Sequence, residues 1–489
     1  MSKHLAALAV TTALLAGSAV APAVAAESSA GTEIAVGSQV TNSISDHAVG
    51  VDTPFWNENL LRDDTPELIR RAGIRTLSFD AGWPSDLYHF QNGGSLGQDP
   101  TGIHAPVPSW AAPKFSFDKF AETARVSGAG ALVHVNYGTG DAKEAADWVR
   151  YANVTHGYRV RDWAIGEEVY LNGWSGRPPV EPDGHPDRSP AAYARNSIEY
   201  AKAMKAVDPT IRVGVELAPY DLAVPDPLGT NQRAKTWDDA VLSTPGLAAV
   251  VDFVDIHWYH SRFLSTDAAV LADTAANPPV INALRADLDH ASGPGRRIDI
   301  VVGETNVNAE DDPRQQTAVG ALYLLDNNLS LLENGASNVS WWALYNGPAA
   351  AAGGGWGDLG LLSSGDCVTT KDQGDQCEPP VGTPFPTYQT MRLLTTAVKG
   401  GGSTLATSST SPTLTGHAVR RADGALAVVV VNKDPNQAQE FHLSLPGSYR
   451  TERTLTWRQH DTALTVQRGL VPAVLAPYSA AVILLKPAR

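Results

Sequence analysis

Two glutamates, far apart in the chain, each stand at the end of a short apolar run. The stretch Val160-Arg161-Asp162-Trp163-Ala164-Ile165-Gly166-Glu167-Glu168 reads as a buried strand, apolar at Val160, Trp163, Ala164 and Ile165, that stops in two adjacent carboxylates. Ile298-Asp299-Ile300-Val301-Val302-Gly303-Glu304-Thr305-Asn306 has the same shape with one glutamate. Cleavage of a glycosidic bond needs carboxyl groups held on rigid elements at the rim of a cleft, and strand ends supply such positions. Strand-end residues that meet imply parallel strands of one sheet whose C-terminal ends face a common site. The plainer alternative is that both are ordinary carboxylates on a solvated rim.

The elements around them fit the first reading. Between residues 45 and 398 short apolar runs alternate with amphipathic ones. Strands are expected at 47–52, 74–79, 131–135, 160–165, 211–217, 253–260, 298–304 and 338–344. Helices are expected at 66–72, 117–125, 141–151, 191–207, 237–242, 280–290 and 315–333, with 386–398 closing the set. This alternation predicts an α/β fold, a (β/α)8 TIM barrel, with Glu168 after its fourth strand and Glu304 on its seventh. Long insertions at 171–189 and 217–235 have the length of loops that shape a cleft. Past Gly400-Gly401-Gly402 the helical period disappears, and short β-type runs separated by turn residues predict a β-sandwich domain over 402–489. A further strand at 32–40 can join it, since chain termini often lie close together.

Composition narrows the partners. A chain of 489 residues, 43% hydrophobic and 18% charged, is a folded globular protein too long for one ordinary domain. Its net charge of −15 argues against nucleic acid and anionic membrane surfaces. Lys3 and His4, the apolar run 5–15 and the small-x-small site Ala23-Val24-Ala25 predict an export signal over 1–26, and hence a secreted, extracellular protein. Cys367 and Cys377, the two cysteines, are expected to pair across a polar surface loop in an oxidising compartment. No phosphate loop, zinc-ligand spacing or Gly-x-Ser-x-Gly elbow occurs, so no metal and no cofactor is expected. Oligomeric state is left open.

The strand ends Trp-x-Ile-Gly-x-Glu (163–168) and Gly-Glu-Thr-Asn (303–306), with His257-Trp258-Tyr259 between them, resemble retaining glycoside hydrolases of clan A. Within that clan the chain is most similar to secreted bacterial α-L-arabinofuranosidase-like proteins. The stretches 136–140, 148–153 and 201–209 match that group, and the resemblance covers about residues 45–489. It implies an oligo- or polysaccharide substrate of plant or cell-wall origin, Glu168 as acid/base, Glu304 as nucleophile, and His257 and Tyr259 facing the cleft. Trp341 and Trp342 are adjacent, so one is expected to point in; Trp342 as an aromatic floor under a sugar competes with plain barrel packing. Asp80, Trp83, Asn136 and Tyr137, with Trp56 and Tyr345, are further rim candidates.

Two positions depart from the group. Glu167 stands where the clan has an asparagine that bonds the sugar 2-hydroxyl, and Ser78 stands where an arginine supports the nucleophile. Loss of that cation is expected to raise the carboxyl of Glu304. Glu167 is expected to face the cleft and to disfavour an anionic sugar. A heparanase-like uronidase and a catalytically weakened carbohydrate-binding protein on the same scaffold are the alternatives.

Overall fold

Eight short parallel strands close on themselves into a barrel, each followed by a helix that covers its outer face. The computed structural model describes residues 31–92, 94–173, 179–220, 230–351 and 354–488. The expected export signal at 1–26 lies outside the described residues, as do 174–178 and 221–229 of the two insertions. After β1 (Thr32–Ile44) come the barrel strands β2 (Val49–Asp52), β3 (Thr76–Phe79), β4 (Gly130–Val135), β5 (Asp162–Ile165), β6 (Arg212–Glu216), β7 (Phe253–Trp258), β8 (Asp299–Thr305) and β9 (Ala336–Trp341). The covering helices are α1 (Thr65–Ala72), α2 (Phe117–Ser127), α3 (Ala142–Val149), α4 (Pro190–Val207), α5 (Thr230–Leu242), α6 (Asn277–Ser292), α7 (Ala318–Glu333) and α8 (Pro386–Val398). Pairing of Val339 with Val49 and of Trp341 with Val51 closes the ring between β9 and β2.

Local chemistry sets the helix starts. Asp141, Ser189 and Thr317 each accept a backbone N–H of the first turn, at the heads of α3, α4 and α7. The barrel strands are apolar on the face that meets the helices, whereas toward their C-terminal ends the inward face carries buried polar and charged side chains, Asp52, Ser78, His134, Glu216, Asp255 and His257 among them. Leu132, Ala164, Phe253 and Val301 form the apolar floor at the N-terminal end. The last barrel strand stops at Trp341, earlier than expected, and the Trp342–Ala343 peptide is cis.

The C-terminal region is β10 (Gly402–Ser409), β11 (Leu414–Arg421), β12 (Leu426–Asn432), β13 (Gln439–Ser444), β14 (Tyr449–Arg458), β15 (Thr465–Arg468), β16 (Val474–Leu475) and β17 (Ser479–Pro487). Their hydrogen-bonded order is β15-β14-β17-β12-β11-β10-β1-β13-β16. The N-terminal strand β1 therefore lies within this sheet, antiparallel to β10 and parallel to β13. Alternation in β12 explains its unbroken apolar run. Leu426, Val428 and Val430 share a core with Ile34 of β1, Phe441 of β13 and Leu475 of β16, so the row of strands folds over on itself as a sandwich. Ala427, Val429 and Val431 point the other way, into the core continuous with the barrel.

Helix α7 lies between barrel and sheet, which is why every residue from Val319 to Leu332 is buried. Its Asp326 joins the two layers: Oδ1 is 2.9 Å from His417 Nε2 of β11, and Oδ2 is 2.6 Å from Lys433 Nζ just after β12. Cys367 and Cys377 face each other across a two-stranded ribbon and are disulfide-bonded, with Cα atoms 4.0 Å apart. Among the described residues no helix is long and apolar enough to cross a membrane.

Candidate active site

Two local irregularities aim the glutamates. Strand β5 ends at Ile165, and Gly166 turns the chain with φ 85°; a Cβ there would stand 2.4 Å from Val169 Cγ2. The turn breaks the alternation of the strand, sending Glu167 into the barrel and Glu168, with φ 44°, across the strand end. On β8 the register against β7 slips after Val302, so that Glu304 pairs with His257. The slip falls on Gly303, whose missing side chain is occupied by Asp255: a Cβ would lie 2.3 Å from its Oδ1. Such a bulge re-aims the residue that follows it.

Glu168 and Glu304 meet at one imidazole. His257 Nδ1 lies 3.0 Å from Glu168 Oε1 and 3.5 Å from Glu304 Oε2. Each carboxylate has its own phenol: Tyr170 donates to Glu168 Oε1 at 2.8 Å, and Tyr259 donates to Glu304 Oε2 at 2.7 Å. The side chain of Glu168 is 26% exposed and that of Glu304 9%. Burial raises the Glu304 carboxyl well above the usual range; His257 opposes this, while Asp80 and Glu168 add to it. Burial also works to raise Glu168, but the hydrogen bonds from His257 and Tyr170 outweigh it and hold that carboxyl below the usual range. Burial opposes charge on His257, and the carboxylates of Glu304, Glu168 and Glu216 outweigh it, so the imidazole is held well above its ordinary range.

Glu167 does not line the rim. It is 1% exposed, wedged between two imidazoles, with His134 Nδ1 at 3.0 Å and His257 Nδ1 at 3.6 Å. Asp80 is likewise buried; its Oδ1 accepts from the N–H groups of Ala81 and Gly82 and from Ser85 Oγ, holding the turn after β3. Ser78 is fully buried and pairs across the ladder with Asp52, also fully buried.

An aromatic row leads outward from the pair. Trp342 packs with Tyr259, Trp56 and Leu359. Trp110 stands edge-on to Trp56 at 5.9 Å and to Trp83 at 5.8 Å, and Trp83 stacks on His104 at 3.8 Å. Trp341 turns away into the main core. Asn136 and Tyr137, expected on the rim, are not brought to the glutamates. Asn136 Oδ1 accepts from the N–H groups of Thr139 and Gly140, while Tyr137 accepts from Asn196 and stacks on His185. They shape the loop after β4. Tyr345 is buried and bonds Thr65. Tyr170 and Trp110 escaped the sequence reading. Tyr170 sits two residues past Glu168, a spacing that signals nothing until Gly166 turns the chain.

No protein-family profile matches the chain. A probable α-L-arabinofuranosidase C of Aspergillus terreus is 28% identical over 44% of this chain and 42% of its own length. The chain thus matches under half of that relative's length. An exo-α-(1→6)-L-arabinofuranosidase of Bifidobacterium longum is 23% identical over 85% of this chain and 82% of its own. Among solved structures, an α-L-arabinofuranosidase of Thermotoga maritima in complex with arabinose superposes with a TM-score of 0.66 at 20% identity, covering 93% of this chain and 99% of that one. The fold is a (β/α)8 barrel with a C-terminal β-sandwich, and the chain's similarity is to α-L-arabinofuranosidases, glycoside hydrolases of clan A.

Proposed function

We propose that this chain is a secreted retaining glycoside hydrolase that cleaves a neutral furanoside, arabinofuranose foremost, in plant or cell-wall polysaccharide. The observation that carries the reading is the shared imidazole of Glu168 and Glu304. Oxygens 3.0 and 3.5 Å from one nitrogen are at most about 6.5 Å apart, a bound that accommodates the ~5–5.5 Å of a retaining pair and so supports this reading. Glu304, held by Tyr259, attacks the anomeric carbon. Glu168 protonates the departing oxygen, then takes a proton from the water that releases the sugar. Within 4.0 Å of Glu168 and Glu304 the described residues place His257 and no lysine or arginine that a uronate could pair with, which disfavours the uronidase alternative. Export is supported by the 1–26 segment and by the Cys367–Cys377 bridge.

The resting protonation is the reverse of what attack requires. The proton favours Glu304, whereas displacement needs it on Glu168. His257 Nδ1 touches both groups, so it can pass its proton to Glu168 and take one from Glu304, restoring the imidazolium. The departures at Glu167 and Ser78 favour the second reading, a weakened enzyme that binds sugar more than it cleaves it. Turnover of an aryl α-L-arabinofuranoside separates them. Wild-type turnover lost in Glu304→Gln, with Glu168→Gln failing mainly on poor leaving groups, supports the hydrolase. Binding of arabino-oligosaccharides with no turnover supports the second reading, and unchanged rates in both variants sink the assignment.

A further inference from the structure

Deeper in the barrel lies a group of side chains that the proposed reaction does not use. His134 of β4, Glu216 of β6 and Asp255 of β7 are 2%, 0% and 0% exposed. One donor atom from each lies within 4.8 Å of the other two. Neither oxygen of Glu216 and neither ring nitrogen of His134 makes a hydrogen bond among the described residues. A carboxylate sealed from water without a donor is strongly unfavourable unless it takes up a proton or a positive charge stands beside it. Within 4.0 Å of this group and of Glu167, the cationic side chains among the described residues are His134 and His257, with no lysine or arginine.

The spacing has a specific meaning. His134 Nε2 is 3.6 Å from Asp255 Oδ2, without hydrogen-bond alignment. Two donors each about 2.1 Å from one tetrahedral ion stand about 3.4 Å apart, and they point at the ion rather than at each other. On the opposite side of the same ring, Nδ1 is 3.0 Å from Glu167 Oε2, an ion-pair contact without hydrogen-bond alignment. Metal-bound histidines commonly turn their second nitrogen to a carboxylate, which sets the ring's orientation and strengthens the bonding nitrogen. A mixed imidazole and carboxylate donor set suits a first-row divalent ion better than calcium or magnesium, which take oxygen ligands.

We propose that His134 Nε2, Glu216 and Asp255 bind one divalent first-row transition ion of the zinc class inside the barrel, with Glu167 fixing the histidine ring. This is independent of the proposed reaction: the ion would sit below the glutamate pair and take no part in attack or leaving-group protonation. It would bring positive charge to an interior where Ser78 occupies the place of the arginine that the resemblance leads one to expect. No spacing motif announces the site, because its donors come from three separate strands.

The test uses the full chain purified without metal-affinity resin, stripped with a chelator and reloaded with Zn2+, excess being removed. Elemental analysis is expected to find about one ion per chain, and stripping to lower the thermal unfolding temperature reversibly. Reloading with Co2+ is expected to give visible d–d absorption. Glu216→Gln and His134→Gln are expected to lose the stoichiometric ion and the absorption. Should these variants fail to fold, the wild-type stoichiometry and cobalt spectrum decide alone. Less than about a tenth of an ion per wild-type chain after reloading, with no change in unfolding temperature, would overturn the proposal, as would folded variants that keep the full ion. Retention of Ca2+ but not Zn2+ would overturn it equally.

Discussion

Glu304 stands opposite His257 because β8 carries an extra residue, Gly303, between the residue paired with Ile256 and the residue paired with His257. Without that slip the ladder would put Gly303 opposite His257 and turn Glu304 outward among the helices. The placement of Glu304 in the candidate site depends on that one backbone feature. Gly303→Ala drives a Cβ onto Asp255 Oδ1, so the bulge or the carboxylate must move. The expected result is a loss of about 1–3 kcal/mol in denaturant unfolding. A fall of at least ~10² in kcat/KM is expected beside it, because misplacement near 1 Å has that effect on positioned groups. A variant with wild-type kinetics would show that the bulge does not aim Glu304.

The two phenols act on different limbs of the pH profile. Tyr259 donates to Glu304 and opposes the rise that burial causes, so Tyr259→Phe leaves Glu304 higher still. Since Glu304 is the higher of the two carboxyls it sets the basic limb of kcat/KM, which then moves to higher pH. Tyr170 donates to Glu168 and helps hold it low, so Tyr170→Phe raises that carboxyl and moves the acidic limb to higher pH. Each lost bond to a charged group corresponds to ~10–100-fold at the optimum. Limbs that move together, or not at all, would contradict the assignment of one phenol to each carboxylate.

The strand ends at Glu168 and Glu304 are legible in the sequence because apolar runs stop there, and a barrel follows from their alternation with helices. What cannot be read is the direction each side chain takes. Ile300, Val301 and Val302 are apolar on both faces, as a strand buried on both sides must be, so no alternation reveals the slip at Gly303. Gly166 hides the inward turn of Glu167 in the same way: a strand count continues through it, but the backbone at φ 85° does not. Asn136 and Tyr137 resemble a rim because they follow a strand. Their side chains instead satisfy the backbone and packing of their own loop, a demand that residue type alone does not distinguish from sugar binding.

The barrel and the sheet are joined at Asp326, and its surroundings make the junction sensitive to pH. Burial would raise Asp326, but Lys433 and His417 hold it far below the carboxylate range. Burial would lower His417, but Glu333 and Asp326 push it up to about 10. The stabilisation from His417 is complete below the unfolded value of ~6.5 and is lost as pH rises through about 10. That from Asp326 is complete above ~3.9 and is lost as pH falls toward its depressed folded value. Urea unfolding should therefore show a plateau between ~pH 4 and 6.5, with decline on both sides. Asp326→Asn leaves Lys433 and His417 buried with one charge fewer to face, and should lower stability by about 3–5 kcal/mol. Unchanged unfolding in that variant would mean that the junction does not rely on the charge.

Ser78 offers the sharpest test of the reversed protonation. It is fully buried on β3 beside Asp52, whose carboxyl is raised by burial and next by Glu304, so both carboxylates feel the missing cation at this point. In Ser78→Arg a guanidinium placed there can pair with Asp52 and lower Glu304 at the same time. Glu167→Asn removes a further carboxylate whose charge raises Glu304, as its Coulombic coupling to that group requires. The double variant should shift the basic limb of kcat/KM to lower pH and raise turnover of simple arabinofuranosides by ~10-fold, one RT ln 10 of the proton-transfer penalty. Added bulk in a packed interior will offset part of this through a stability loss of about 1–3 kcal/mol, so rates must be taken well below the unfolding transition. A basic limb that stays in place in a folded double variant would show that the protonation of Glu304 is set by burial alone. A double variant that cleaves no furanoside while the parent cleaves a uronide would reverse the substrate class itself.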